Sequence, residues 1–361
     1  MAAAAAALLA LLLGLCTLLL IGFETGPVAF LVGLVAATLP APVYVLLVLW
    51  LDRFESEPLW MLATAFFWGA LVAVFFALVV NTLGGVVVGL TFGAGAADLF
   101  GKSLSAPVVE EVSKALALFT LYFWRRDEFD GVLDGIVYAG MVGLGFAMTE
   151  NVLYYSRAAL EGNTVAVFVA RGMFTPYAHP LFTSMTGIGL GLASQSGRRA
   201  SRVALPVVGL GLAVVLHSVW NTSLYLSEKF DDGRLALAMY FLVMVPVFAG
   251  VLVAVVIALR REGRILREHL SGEAGRGLLT ADEYETLCSV GGRVGASAGA
   301  LVRGGLSAWR ARMKFHGVAS ELAFHRRRVA MGLGAGDAED AAREAMYVEL
   351  LCELRGRMIQ R

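Results

Sequence analysis

Three ionisable side chains, Glu110, Glu111 and Lys114, stand inside "SLSAPVVEEVSKALALF" (103–119), a run otherwise apolar enough for the interior of a lipid bilayer. A charge at mid-bilayer costs about 2.5–3.5 kcal/mol even on the mildest insertion scale, so ionisable groups there are functional candidates by default. On a helix Glu110 lies one turn before Lys114 and Glu111 three residues before it, so the lysine can neutralise one carboxylate and leave the other free. A structural ion pair is the plainer reading of one glutamate and one lysine. A doubled glutamate exceeds what such a pair needs.

Three later apolar runs carry more of the same chemistry. "GFAMTENVLYY" holds Glu150 with Asn151 beside it; the next run holds Arg171 and then "PYAHPLFTSMTG", where His179 falls between Pro176 and Pro180; "LHSVWNTSLY" sets His217 and Asn221 one helical turn apart. Of five histidines, the two within apolar runs fall in consecutive runs, just after two runs with carboxylates. Glutamate and histidine together suit a catalytic zinc site, in which three side chains hold the metal and a fourth position is left for water. A divalent metal lowers the pKa of its water to about 7 and polarises a scissile carbonyl, while a carboxylate takes the proton. Peptide hydrolysis is the reaction such a set serves. A proton- or cation-coupled transporter would use the same residue types as a relay, although no internal repeat supports one, and a silent membrane scaffold is a third reading.

These residues need apolar helices to carry them. The chain has 361 residues, 58% hydrophobic and only 16% charged, which is a membrane composition. Its formal net charge is zero and its basic residues are dispersed, so nothing points to nucleic acid. With about 20 apolar residues per crossing, eight spans are expected near 3–22, 27–51, 59–81, 103–124, 132–155, 164–195, 203–226 and 235–259. The sixth is too long for one straight helix, and Pro176 and Pro180 predict a break or a re-entrant turn. The glycine-rich stretch "TLGGVVVGLTFGAGAADLF" is open between a loop and a partial helix. Glycines 135, 140, 143 and 145 predict close helix contact along the fifth span.

Lys and Arg set the orientation. Arg53, then Arg125 and Arg126, then Arg198, Arg199 and Arg202, then Arg260, Arg261, Arg264 and Arg267 fall on one side of alternating spans, which predicts a multi-pass cell-membrane protein with both termini cytoplasmic. Depth agrees in part: at about 1.5 Å per residue, Glu110 and Glu111 lie roughly 11–12 Å and His217 roughly 14 Å from the outer ends of their spans. His179 is deeper on a straight helix, so the break at Pro176 must bring it up. The first run, 1–22, lacks a basic leading segment, and Leu15 precedes Cys16 where a lipoprotein cleavage site needs a small residue, so an uncleaved membrane helix is expected.

The four stretches "EEVSK", "FAMTEN", an isolated His before "PLFTSMTG", and "HSVWN", in that order on successive spans, resemble the PrsW family of intramembrane proteases, within the wider clan of type II CAAX prenyl endopeptidases. "LDRFESEPLW" (51–60) is similar to an acidic loop of the same family. The likeness covers residues 50–226. It implies an intramembrane endopeptidase acting on a membrane-anchored protein, anti-sigma factors among them. It also implies that Glu110 and Glu111, with Lys114 as the balancing charge, supply the catalytic carboxylates, and that Glu150, His179 and His217 complete the site around a divalent metal such as zinc. Asn221 and Asn151 would donate hydrogen bonds to a ligand or an oxyanion. Glu150 stands where CAAX enzymes have histidine, which keeps a metal-free, glutamate-activated water open beside the metal mechanism.

The expected division is a transmembrane protease domain, 1–259, and a cytoplasmic helical region, 260–361. "TADE" (280–283) is a capping-box pattern, Asp337 is a second candidate helix start, and His325 to Arg328 reads as a solvated basic face. Cys16, Cys288 and Cys352 show no ligand spacing. Other intramembrane protease signatures are absent: there is no His-Glu-x-x-His, "GAGD" (334–337) sits in the polar tail, and "GKS" (101–103) lies at a span edge.

Overall fold

A computed structural model describes every residue except 1, 53, 55, 56, 126, 127, 333, 360 and 361. Arg53 and Arg126, and Glu55 of the acidic loop, therefore lie outside the described residues. Among those described there are helices and no strands. The chain is an all-α, polytopic membrane protein. It divides into two units, Met1–Leu51 with Glu57–Val255, and Asp52–Ser56 with Val256–Arg361.

In the first unit the helices are α1 (Ala2–Thr25), α2 (Pro27–Thr38), α3 (Ala41–Leu51), α4 (Leu59–Phe67), α5 (Val74–Phe92), α6 (Ala94–Phe100), α7 (Ala106–Trp124), α8 (Val132–Leu160), α9 (Thr164–Phe168), α10 (Ala178–Ser194), α11 (Arg199–Lys229) and α12 (Arg234–Met239), followed by α13 (Val245–Gly275). Short π-helical turns at Trp68–Ala73, Gly101–Ser105, Val169–Phe174 and Tyr240–Met244 follow α4, α6, α9 and α12. Among the described residues six stretches are long and apolar enough to cross a membrane: Ala4–Thr25, Pro27–Leu51, Leu59–Phe92, Val132–Leu160, Arg199–Lys229 and Arg234–Gly275. The two other expected spans differ for physical reasons. The fourth, α7, carries three charges within two turns, and the sixth is not one helix. It ends its π turn at Phe174, leaves helical geometry at Thr175, and restarts as α10. The Pro180 ring fits there because the first turn of a helix has no hydrogen bond for its missing N–H to break.

The glycine-rich stretch is a helical hairpin. α5 runs on to Phe92, Gly93 turns the chain with φ 89°, a conformation open to glycine, and α6 continues toward α7.

α8 is the hub of the unit. Every residue from Leu133 to Ala147 is buried, whereas Leu8, Leu11, Leu15 and Leu19 on α1 are each more than half exposed, as lipid-facing side chains must be. Burial on all sides of α8 depends on small residues. A Cβ on Gly143 would stand 2.6 Å from the Pro180 nitrogen on α10, and one on Gly135 would meet the carbonyl of Gly187. Backbone contact at these points draws α10, and the histidine at its start, against α8.

The second unit contains the later part of α13 with α14 (Ala281–Leu287), α15 (Val290–Ala330) and α16 (Asp337–Ile359). The expected capping box is present: Glu283 N–H donates to Thr280 Oγ1 at 3.1 Å and Thr280 N–H to Glu283 Oε2 at 2.8 Å. α16 opens at Asp337, and Asp340 in its first turn accepts from the Gly336 and Ala335 amides just ahead of the helix. The basic cluster is not a solvated face. His325 is buried, and Arg326 pairs with Glu273 at 2.9 Å and Glu344 at 2.7 Å, because α13 and α16 offer carboxylates to that side of α15.

Replacing Gly143 by Ala overpacks the α8–α10 contact, which costs typically 1–3 kcal/mol. The expected outcome is a clear fall in the thermal unfolding midpoint of the detergent-solubilised protein. Gly211→Ala on α11, where a Cβ meets nothing within 4 Å, should leave the midpoint unchanged or raise it.

Candidate active site

Four helices each bring one part of the site. α7 supplies Glu110, Glu111 and Lys114, α8 Glu150 and Asn151, α10 His179 at its second residue, and α11 His217 and Asn221. The break at 175–177 is what carries His179 to the others, as a straight sixth span would not.

Glu111 is fully buried and fully engaged. Its Oε1 accepts from Lys114 Nζ at 2.6 Å and faces His217 Nδ1 at 3.0 Å, while its Oε2 accepts from Thr183 Oγ1 at 3.0 Å. Lys114 also reaches His179 Nδ1 at 3.1 Å and lies 4.4 Å over the Phe146 ring. The His217 ring stacks on Phe182, centroids 4.8 Å apart. Glu150 Oε2 is shared: it accepts from Arg171 Nη2 and stands 2.9 Å from His179 Nε2. Arg171 Nε donates to Asn151 Oδ1 at 2.6 Å.

Glu110 differs from the other two carboxylates. Its Oε2 is buried and no donor among the described residues bonds it; it lies 3.9 Å from His179 Nδ1, 3.8 Å from His217 Nε2 and 4.0 Å from Lys114 Nζ. A carboxylate only accepts, so in neutral imidazoles the ring nitrogens facing Glu150 and Glu111 carry the hydrogen. That leaves His179 Nδ1 and His217 Nε2 as lone pairs on the side of Glu110. Three acceptor atoms therefore converge, with Lys114 Nζ donating to His179 Nδ1, and together they form a set that could hold a divalent cation. Glu110, His179 and His217 each offer one ligand atom, all within 4.8 Å of one another. The orphaned oxygen makes the fit a chemical one, and Lys114, the nearest cation on the chain, has to release His179 Nδ1 when an ion binds.

Two clefts meet at this cluster. One of about 430 Å³ is lined by His179, His217, Arg171 and Trp220, the other of about 590 Å³ by Glu110, Asn81 and Gly85 of the α5–α6 hairpin region; Lys102, Glu150, Tyr154 and Asn221 line both.

All the residues singled out from the sequence thus lie in or beside one site. Glu150 was expected among the metal ligands; here its oxygen is taken up by Arg171 and His179, and Glu110 is the carboxylate inside the three-atom cluster. Sequence reasoning gave no role to Thr183 or Arg171. Thr183 lies four residues after His179, hence on the same helical face, a spacing that marks it.

Buried carboxylates and imidazoles are thus gathered among helices of a membrane protein, a set suited to hydrolysis and to ion relay alike, and comparison with known proteins decides between them. The family described as "PrsW family intramembrane metalloprotease" matches residues 57–251. The protein called Protease PrsW of Geobacillus kaustophilus is 34% identical over 182 residues, 49% of this chain and 73% of the relative. The Protease PrsW of Bacillus subtilis is 31% identical over 170 residues, 47% and 72% of the two chains, and that of Clostridioides difficile is 28% identical over 181 residues, 49% and 73%. No solved structure matches. The chain belongs to the PrsW family of intramembrane proteases, and it is a membrane peptidase.

The two neighbouring glutamates should separate in a stability measurement. Glu111→Gln breaks a buried ion pair and strands Lys114, a loss of about 3–5 kcal/mol, whereas Glu110→Gln removes a buried charge with no hydrogen-bonded partner. Thermal unfolding in detergent is expected to show a large fall for Glu111→Gln and a midpoint at or above wild type for Glu110→Gln.

Proposed function

We propose that the chain is an intramembrane endopeptidase that hydrolyses a peptide bond of a membrane-anchored protein, with Glu110 as the carboxylate that works on water. The observation that carries this reading is the unclaimed Glu110 oxygen facing two imidazole lone pairs. His179 and His217 would hold a divalent cation, zinc in this reading, with the Glu110 carboxylate beside it and free to accept a proton. Bound there it supplies Lewis acidity toward water and toward the scissile carbonyl.

The chain's own residues do the rest. Glu111 fixes the His217 ring through Nδ1, and Glu150 fixes His179 through Nε2, the carboxylate–histidine arrangement that orients metal-holding imidazoles. Lys114 neutralises Glu111, so the balancing charge and the working carboxylate are different neighbours on one helix. Glu110 takes the proton that water gives up and delivers it to the departing amine. Asn221, one turn beyond His217 and lining both clefts, donates to the carbonyl oxygen as negative charge develops there. Asn151 spends its Oδ1 on Arg171 and keeps its amide hydrogens for a ligand.

The cleft beside the α5–α6 hairpin supports a substrate that arrives from the bilayer. α6 has no buried residue and α5 buries only Val74 and Ala77, so this wall is thin and borders the lipid. Anti-sigma factors, which the family resemblance suggests, are one class of membrane-anchored substrate. The positions of Arg125, Arg198, Arg199, Arg202 and the α13 arginines support a cell-membrane protein with both termini in the cytoplasm; labelling of Cys352 by an impermeant reagent from outside intact cells would contradict that orientation.

With a quenched single-span peptide as substrate in detergent, Glu110→Gln should slow cleavage by about 10²–10⁴-fold, the usual worth of an acid–base group. Wild-type protein should carry stoichiometric metal that His179→Ala and His217→Ala each lose. Cleavage by Glu110→Gln at the wild-type rate would remove the catalytic assignment, and an active wild type free of metal would remove the ligand assignment.

A further inference from the structure

Arg171 stands apart from the catalytic cluster yet holds one side of it. It lies in the π-helical turn Val169–Phe174, ahead of the break at 175–177, while His179 lies just beyond that break. Both reach the same oxygen: Glu150 Oε2 accepts from Arg171 Nη2 and stands 2.9 Å from His179 Nε2. Glu150 thus staples the two sides of an interrupted helix to one point on α8. Arg171 grips that point over a full turn, with Nε on Asn151 Oδ1 at 2.6 Å and its guanidinium 3.8 Å from the centroid of the Tyr154 ring. A planar fork with several donors and a stacking face is needed to hold residues i, i+1 and i+4 at once, and lysine has neither feature.

From this geometry we infer that Arg171 is the positioning residue of the site: it fixes the Glu150 carboxylate and, through it, the ring orientation and tautomer of His179. Its charge matters as much as its shape. Three carboxylates and two cations meet within the membrane unit, and without Arg171 the Glu150 charge has no partner but His179. Unheld by Arg171, the carboxylate is free to turn away from His179 Nε2, and the ring, then anchored by Lys114 at Nδ1 alone, loses its fixed orientation toward Glu110. The π turn serves this role directly, because a wide turn aims one side chain off the regular helical track, and such turns recur at functional sites.

The inference rests on the proposed reading of the site, so the experiment carries one arm that needs no metal. Long-range proton–nitrogen correlation spectra of the ¹⁵N-histidine-labelled, metal-free protein, with the His179 signals assigned by their loss in His179→Gln, report its tautomer. Wild type should show His179 with hydrogen on Nε2 only. Arg171→Met should give averaged or exchanged signals, and Arg171→Lys an intermediate spectrum.

The second arm is Co²⁺ titration followed by the visible d–d bands. Arg171→Met should bind about 10–100-fold more weakly, the usual loss when an outer partner of a metal-holding histidine is removed, and Arg171→Lys should recover part of it. In a cycle with Glu150→Gln the two losses should be strongly non-additive, as expected of residues that act through one contact. A cleanly folded Arg171→Met with the wild-type His179 tautomer overturns the inference. So does additivity in the cycle. If Arg171→Met does not fold, Arg171→Lys decides: full wild-type spectra and affinity leave the positioning role without support. Wild type that binds no Co²⁺ while the tautomer still responds to Arg171 would overturn the metal assignment and leave the positioning role standing.

Discussion

Charge balance in a medium without water is the constraint on which the rest depends. A buried charge is tolerated only when paired and hydrogen-bonded, and the site brings together three carboxylates and two cations. Lys114 is committed to Glu111 and Arg171 to Glu150. Counted as charged, three carboxylates exceed two cations by one, and Glu110 is the carboxylate with a buried oxygen that no donor among the described residues bonds. The same arithmetic explains why the site can attract a cation and why its histidines keep their lone pairs inward.

Keeping five charged groups in such an arrangement demands backbone precision, and the fold obtains it from irregular helix and from small residues. Gly135 and Gly143 let α10 touch the backbone of α8, which sets the distance from Glu150 to His179. The π turns relocate side chains: at Trp68–Ala73 the loosened ladder leaves the Ala70 carbonyl for the Thr149 hydroxyl at 2.8 Å, one residue before Glu150, and the Trp68 indole donates to the Ser113 carbonyl at 2.9 Å, one residue before Lys114. Both bonds tie this turn to the residues adjoining the site. Exposed apolar side chains on α1, α2 and α5 face outward and contribute solvation by lipid rather than position.

Much of this was legible in the sequence because bilayer energetics make charged residues conspicuous. Glu110, Glu111, Lys114, Glu150, His179 and His217 stand out against apolar neighbours, and helical spacing was enough to pair Lys114 with a glutamate. What spacing could not decide was which one. Both i−3 and i−4 reach a lysine, and the choice of Glu111 follows from Thr183 and His217 arriving from α10 and α11, a tertiary fact. The placement of Glu150 was hidden for a related reason: its partner Arg171 lies twenty-one residues on, across a break whose π-helical approach has no sequence signature. The tail's basic cluster misled because His325 and Arg326 look solvated until the acids of α13 and α16 are seen beside them.

The family match and the physics agree on where the function resides. The matched stretch, 57–251, ends inside α13 and lies wholly within the membrane unit, and every charged residue of the site falls within it. The later unit contributes none of them. Buried charges of its own include Glu273, paired with Arg326, and Arg293, which lies over the Phe54 ring and donates to Ser320. Within the membrane unit Glu111 and Glu150 are each paired with a cation, while the Glu110 oxygen that no described donor bonds belongs to a carboxylate lining the cleft beside the α5–α6 hairpin, so pairing sets this one carboxylate apart from its two neighbours.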